Sequence, residues 1–97
     1  MATYIMLGNW TDQGIRNIKD WPGRIDAAKA AAKDAGGEIK DTYMTLGSHD
    51  LVVGAEFPSD EAAATFSLVM SSRGNVRLTT LKAFSEADAR KIIGALP

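Results

Sequence analysis

The chain of 97 residues has no cysteine, a single histidine and three prolines. Without cysteine there can be no disulfide, no thiolate metal site and no cysteine nucleophile. With one histidine, a transition-metal site inside one chain is not expected; a symmetric site sharing His49 between two chains stays open. Charge of neither sign prevails: the formal net charge is -1, so no overall field draws the protein to nucleic acid or to an anionic membrane. The basic residues Arg16, Lys19, Arg24, Lys29 and Lys33 are interleaved with acids and read as a solvated helix face. Long apolar runs are missing too. None approaches the ~20 residues of a membrane span, and residues 1–10 carry no basic leader, so a cytoplasmic protein away from membranes is expected. No glycine pattern for phosphate is present, since Gly36-Gly37 and Gly74 read as helix stops, and Ser71-Ser72 has no histidine at motif spacing. No cofactor is expected.

What is present is an ordinary globular composition, 45% hydrophobic and 24% charged, sufficient for one domain over residues 1–97. Residues 3–9 hold Tyr4, Ile5, Met6 and Leu7, a short apolar run suited to a buried strand. Thr11-Asp12-Gln13-Gly14 breaks it, and Ile15 and Ile18 allow one helical turn before Trp21-Pro22-Gly23. Proline suits the first turn of a helix, and Ile25, Ala28, Ala32 and Ala35 follow at helical spacing over residues 24–35. After Gly36-Gly37, residues 38–46 form a strand of mixed polarity that suits a sheet edge, with Asp41, Tyr43 and Thr45 on one face and Lys40, Thr42, Met44 and Leu46 on the other.

Residues 51–57 are the most apolar strand and belong at the sheet centre. Ser59 is a helix cap with Asp60 and Glu61 in the first turn, where negative charge is favoured, and Ala62, Phe66, Val69 and Met70 make the buried stripe. Residues 75–84 are a fourth strand. Ser85 and Asp88 open a last short helix that turns Ala89, Ile92, Ile93 and Leu96 inward. The order β-α-β-β-α-β plus a C-terminal helix predicts an α+β fold. Two right-handed crossovers build a four-stranded antiparallel sheet with helices on one face, the ferredoxin-like sandwich.

The other face then matters. Val52 and Gly54 oppose Leu51, Val53, Ala55 and Phe57 on the central strand, and the first strand also offers apolar residues to both faces. A solvated face alternates toward polar side chains, so this one requires a cover, and a second copy of the same sheet is the simplest. A homodimer or higher homo-oligomer of the dimeric α/β-barrel kind is expected.

Two sets of side chains are candidates for chemistry. His49 and Asp50, in the turn 47–50, join an imidazole, which can serve as acid, base or metal ligand, to a carboxylate, while Glu56 shares a strand face with Asp50 and would be a general base if buried. Neighbouring strand residues point to opposite faces, so Asp50 need not touch the His49 ring; an aspartate capping turn amides is the plainer reading. Glu56 can equally sit at a wet strand end, paired with an arginine. Trp10 and Tyr43 could line an apolar pocket, and Gly54 leaves room for a ligand.

Thr11-Asp12-Gln13-Gly14, the Gly36-Gly37 step, residues 43–50 and Gly74-Asn75-Val76-Arg77 through Ala83-Phe84 together resemble the GYD-domain family, in the right order over nearly the whole chain. The resemblance implies a small ferredoxin-like domain similar to the dimeric α/β-barrel proteins, and no particular activity. At the turn, Gly47 and Asp50 match the family, whereas His49 stands where its tyrosine usually precedes the aspartate. The expected function is a homo-oligomeric module that binds a small, largely apolar molecule. The alternatives are a monooxygenase- or isomerase-like enzyme moving protons through His49, Asp50 or Glu56, and a structural assembly subunit.

Overall fold

A computed structural model describes residues 1–97. Strand β1 (Ala2–Trp10) runs through the sheet, flanked by β3 (Leu51–Phe57) and β4 (Val76–Ala83); β2 (Glu38–Met44) pairs with β3. All pairs are antiparallel and the strand order is β2-β3-β1-β4, the ferredoxin-like arrangement expected for an α+β chain. The first crossover holds a short helix α1 (Asp12–Arg16), a single 3-10 turn and helix α2 (Trp21–Asp34). The second is helix α3 (Asp60–Ser72), and helix α4 (Glu86–Gly94) follows β4.

Local chemistry sets these boundaries. Pro22 lies in the first turn of α2, where its missing N–H costs nothing. Helix α2 ends in a Schellman motif: the Gly36 N–H donates to the Lys33 carbonyl and the Gly37 N–H to that of Ala32, 2.9 and 2.8 Å, with Gly36 at φ +82°. Ser59 caps α3 by accepting from the Ala62 N–H at 3.1 Å.

The core lies on one side of the sheet. Along β3 every second residue, Leu51, Val53, Ala55 and Phe57, is buried, and Tyr4 and Met6 do the same on β1. Ala28 and Ala32 of α2 and Ala63, Phe66 and Met70 of α3 close over them. Phe57, wholly buried, meets Tyr4 edge-on at 6.0 Å and Phe66 at 5.2 Å. Burial of one such side chain contributes about 1.5–3 kcal/mol, so this aromatic trio anchors α3 to the sheet.

Three expectations shift. The α3 stripe runs through Ala63, Phe66 and Met70, at i, i+3 and i+7, and Val69 falls beside that line, 40% exposed. Strand β2 stops at Met44, short of Leu46, and a bulge between Ile39 and Asp41 breaks its alternation at Lys40. Helix α4 buries nothing: Ile92, Ile93 and Leu96 are 48%, 65% and 65% exposed. Its apolar stripe is real, but no element of the same chain receives it, and the molecule is drawn out to 52 × 30 × 17 Å.

The sheet's second face carries no helix. Strand register arranges it in rows from β2 to β4: Tyr43, Val52, Leu7 and Thr79, then Asp41, Gly54, Ile5 and Leu81. Below them come Glu38, Glu56, Thr3 and Ala83; above, Asn9 pairs with Arg77. The face is apolar in the middle and polar at both ends.

Candidate functional site

The turn between β2 and β3 is built on the backbone. Gly47 has φ +133° with open space around it, so conformation and not packing calls for glycine there. The Thr45 N–H donates to the Asp50 carbonyl and its hydroxyl to that of His49, 2.8 and 2.6 Å, which closes the loop.

Asp50 then ties the loop to β1. Its N–H donates to the Gly8 carbonyl, and its carboxylate accepts from the Trp10 N–H at 2.9 Å. His49 takes a different partner: Nδ1 lies 3.0 Å from Asn9 Oδ1, while Asn9 Nδ2 donates to the Ser48 carbonyl at 3.2 Å. Because the amide nitrogen of Asn9 is a donor to Ser48, its oxygen must accept, so Nδ1 of His49 carries the proton and Nε2 is the basic nitrogen. The two neighbours thus do separate work, Asp50 on backbone and His49 on the open-face residue Asn9.

Glu56 lies at the opposite end of β3 from His49, half-buried, facing Glu38 on one side and Thr3 on the other. No arginine pairs with it; the lysine nearby, Lys40, contacts Glu38 at 3.5 Å. Tyr43 and Gly54 share the open face in adjacent rows. A methyl at Gly54 would meet Asp41 and Ile5 at 3.5–3.9 Å, ordinary contact. Trp10 points the other way, with Tyr4, Met6 and Gly8, and belongs to the helix side. The structure therefore distributes Trp10, Tyr43 and Gly54 over two faces.

On the helix side α2 and α3 diverge and leave a cleft of about 380 Å³ above the sheet. Met6, Leu51, Val53 and Leu78 contribute its floor, Ile25 and Phe66 its walls. Trp10 and Trp21 border it, with Asp20, Arg24, Arg73 and Asn75. The Trp10 indole N–H is buried and has no acceptor, a cost of about 1–3 kcal/mol.

The end of the cleft is stapled by the segment after β1. The Thr11 N–H donates to the Asn75 carbonyl at 3.1 Å and its hydroxyl to that of Gly74; Gln13 Nε2 reaches Arg73 O and Asn75 Oδ1 at 3.3 and 3.0 Å. Gly14 packs so closely that a Cβ would lie 2.1 Å from the Asn75 carbonyl oxygen. Arg24, expected on a solvated helix face, is half-buried instead and donates to the carbonyls of Asn17 and Gly14, 2.8 and 3.2 Å. Charge spacing could not reveal this, because α1 folds back onto the start of α2. Two tryptophans flanking a glycine-bearing break were the available signal for the cleft, and Arg73 and Asn75 had none.

At the far end of the sheet the Tyr4 hydroxyl donates to Asp60, which also contacts Lys82 Nζ at 3.1 Å. The hydrogen bond to Asp60, with burial, raises Tyr4 to about 12; the bond from Tyr4, then that from Lys82, lowers Asp60 below its ordinary value. Tyr4 thus remains a phenol and Asp60 a carboxylate near neutrality.

A four-stranded antiparallel sheet with helices on one face, an open apolar face and a pinned β2–β3 turn defines a small ferredoxin-like α+β domain. The chain belongs to the GYD-domain family, whose model matches residues 4–93. It is also similar to a protein of Thermus thermophilus named "Glutamine synthetase and cystathionine beta-lyase binding protein". The two are 33% identical over 89 residues, which is 91% of this chain and 94% of that protein. No helix here is long and apolar enough to cross a membrane.

Proposed function

We propose that this chain is a homodimeric binding protein, closed sheet to sheet, that docks on an enzyme of amino-acid metabolism. The observation that carries the dimer is the open face. Ile5, Leu7, Val52 and Leu81 lie side by side in two central rows, with Leu81 46% exposed at one edge and Tyr43, beside Val52 at the other edge, 60% exposed. The charges of this face are Arg77 at one corner and Glu38 with Glu56 toward the diagonally opposite one, with Asp41 at the β2 end of a central row. A two-fold axis that lays one corner on the other brings unlike charges together while it buries the apolar rows. Helix α4 supports the same reading. At nine residues it is shorter than the ~12–15 at which isolated helices hold in water, so its exposed isoleucines call for a second surface.

The enzyme partner is suggested by the named relative, which aligns with nearly all of this chain. Proton-transfer chemistry has less support. The Asp50 carboxylate is engaged by a backbone amide, and His49 and Glu56 stand at opposite ends of a strand, so one protomer offers them no shared reacting position.

Light scattering coupled to gel filtration, and native mass spectrometry, test the dimer. The wild type is expected at twice the chain mass and Leu81→Asp at the single mass, with the far-ultraviolet spectrum unchanged. Purified glutamine synthetase and cystathionine beta-lyase are the partners to mix with it. A wild-type chain that stays monomeric at micromolar concentration overturns the dimer, and failure to bind either enzyme overturns the docking reading.

A further inference from the structure

The cleft between α2 and α3 has a composition that the sheet-to-sheet dimer does not use. Its volume of about 380 Å³ falls within the range of small-molecule sites, about 300–1,000 Å³. Its base is core side chains that are already covered, Met6 and Phe66 among them, and its accessible lining is the half-buried Trp10, Trp21, Ile25, Ile39, Val76 and Leu78. An apolar cleft of this size with a few polar groups at its border is the kind of concave site that takes a small molecule.

The border has a sign. Asp20 is the single acid along it, against Arg24 and Arg73. Arg24 donates to two carbonyls, yet neither arginine has a carboxylate partner within 4.0 Å. A guanidinium with free donors beside an apolar hole favours a ligand with an anionic end and an apolar body. Trp10 adds a further unmet requirement, since its ring lines the cleft and its N–H has no acceptor.

We propose that the cleft binds a small amphipathic carboxylate, its hydrocarbon body against Trp10, Ile25 and Leu78 and its carboxylate at Arg73. The site lies within one protomer and on the sheet side away from the dimer face, so it stands or falls independently of the docking reading. The ligand's body could be aliphatic or aromatic; both present the same charge to the same border.

Both tryptophans of the chain line the cleft, so intrinsic fluorescence reports its occupancy directly. The wild-type protein is titrated with decanoate and with 4-phenylbutyrate, and with decylammonium and decanol as charge controls. A saturable fluorescence change is expected with at least one carboxylate, at least tenfold tighter than with the cation or the alcohol. Arg73→Glu is expected to weaken carboxylate binding at least tenfold and to erase the preference over decylammonium. Arg73 is exposed and its side chain makes no hydrogen bond, so the variant keeps the fold. A second variant fills the mouth from the exposed helix position Ala27: Ala27→Phe is expected to abolish binding with the thermal midpoint unchanged. No saturable change with either carboxylate up to millimolar concentration overturns the proposal. Equal affinity for decanoate and decylammonium overturns it too, as does full binding by both variants.

Discussion

The carboxylate of Asp50 accepts the backbone N–H of Trp10 at 2.9 Å, across the gap between the β2–β3 turn and the end of β1. Together with the Asp50 N–H bond to the Gly8 carbonyl, it makes Asp50 the main tie of the turn to β1, to which the His49 and Ser48 contacts with Asn9 add. A hydrogen bond to a charged group contributes about 1.5–3 kcal/mol, a neutral one about 0.5–1.5. Asp50→Ala is therefore expected to lower stability by about 2 kcal/mol, and His49→Ala, which loses a bond to an exposed asparagine, by less than about 1 kcal/mol. Urea denaturation followed by circular dichroism ranks the two, and a larger loss at His49 would reverse the assignment.

Two glycines should respond to alanine with opposite signs. At Gly14 the new Cβ would lie 2.1 Å from a backbone oxygen, so Gly14→Ala must break the staple between Thr11 and the turn at Gly74. A loss of at least about 2 kcal/mol is expected, in the range of strain at a constrained site. Gly23 sits in α2, where an added methyl would meet nothing within 4 Å, and Gly23→Ala should gain about 0.5–1 kcal/mol through helix propensity. Thermal and urea unfolding of the two variants decides it.

The Tyr4–Asp60 pair has a defined pH signature. Asp60 is depressed in the folded state, so its contribution is present above the unfolded carboxylate value and fades as pH falls through the folded one. Tyr4 is raised from 10.0 to about 12, so its contribution is complete below pH 10.0 and is lost as pH climbs toward 12. Tyr4→Phe should flatten both limbs and move Asp60 upward toward its ordinary value. Carbon-13 NMR titration of the carboxylates reads the second effect, and an unmoved Asp60 would mean that Lys82 alone sets it.

Trp10 offers a test of the unpaired donor. Truncating a buried aromatic usually costs several kcal/mol, yet Trp10→Phe removes an N–H that has no acceptor. The net change is expected within about 1 kcal/mol of zero, because relief of the orphan donor offsets the lost volume. A loss above about 3 kcal/mol, by circular dichroism in urea, would show that the N–H is satisfied in solution.

Much of the fold was legible because it is governed by short-range rules. The alternation Leu51, Val53, Ala55, Phe57 announced a half-buried central strand, and the burial follows it residue by residue. Ser59, Ser85 and Gly36 marked helix ends by the chemistry of unpaired backbone groups, and each acts there as expected. The α4 stripe was legible as a stripe, but its direction was not: helical periodicity identifies an apolar face without naming what covers it.

The candidate residues show the same division. Residue type put Trp10 and Tyr43 forward as pocket-lining aromatics and Gly54 as room for a ligand, while pairing across strands separates them onto two faces. Arg24, Arg73 and Asn75 meet from α2, the end of α3 and the turn before β4, and no local pattern connects them.

The sequence by itself determined the elements, their order and the face β3 buries, since periodicity, capping and the exclusion of cysteine chemistry depend only on neighbouring residues. Only the tertiary structure decided that Asp50 serves a backbone amide while His49 faces Asn9, and that α2 and α3 part to leave a bordered apolar cleft. Those outcomes depend on contacts between residues about 40 positions apart or more, such as Trp10 with Asp50 and Thr11 with Gly74, whose distances chain closure and packing set together.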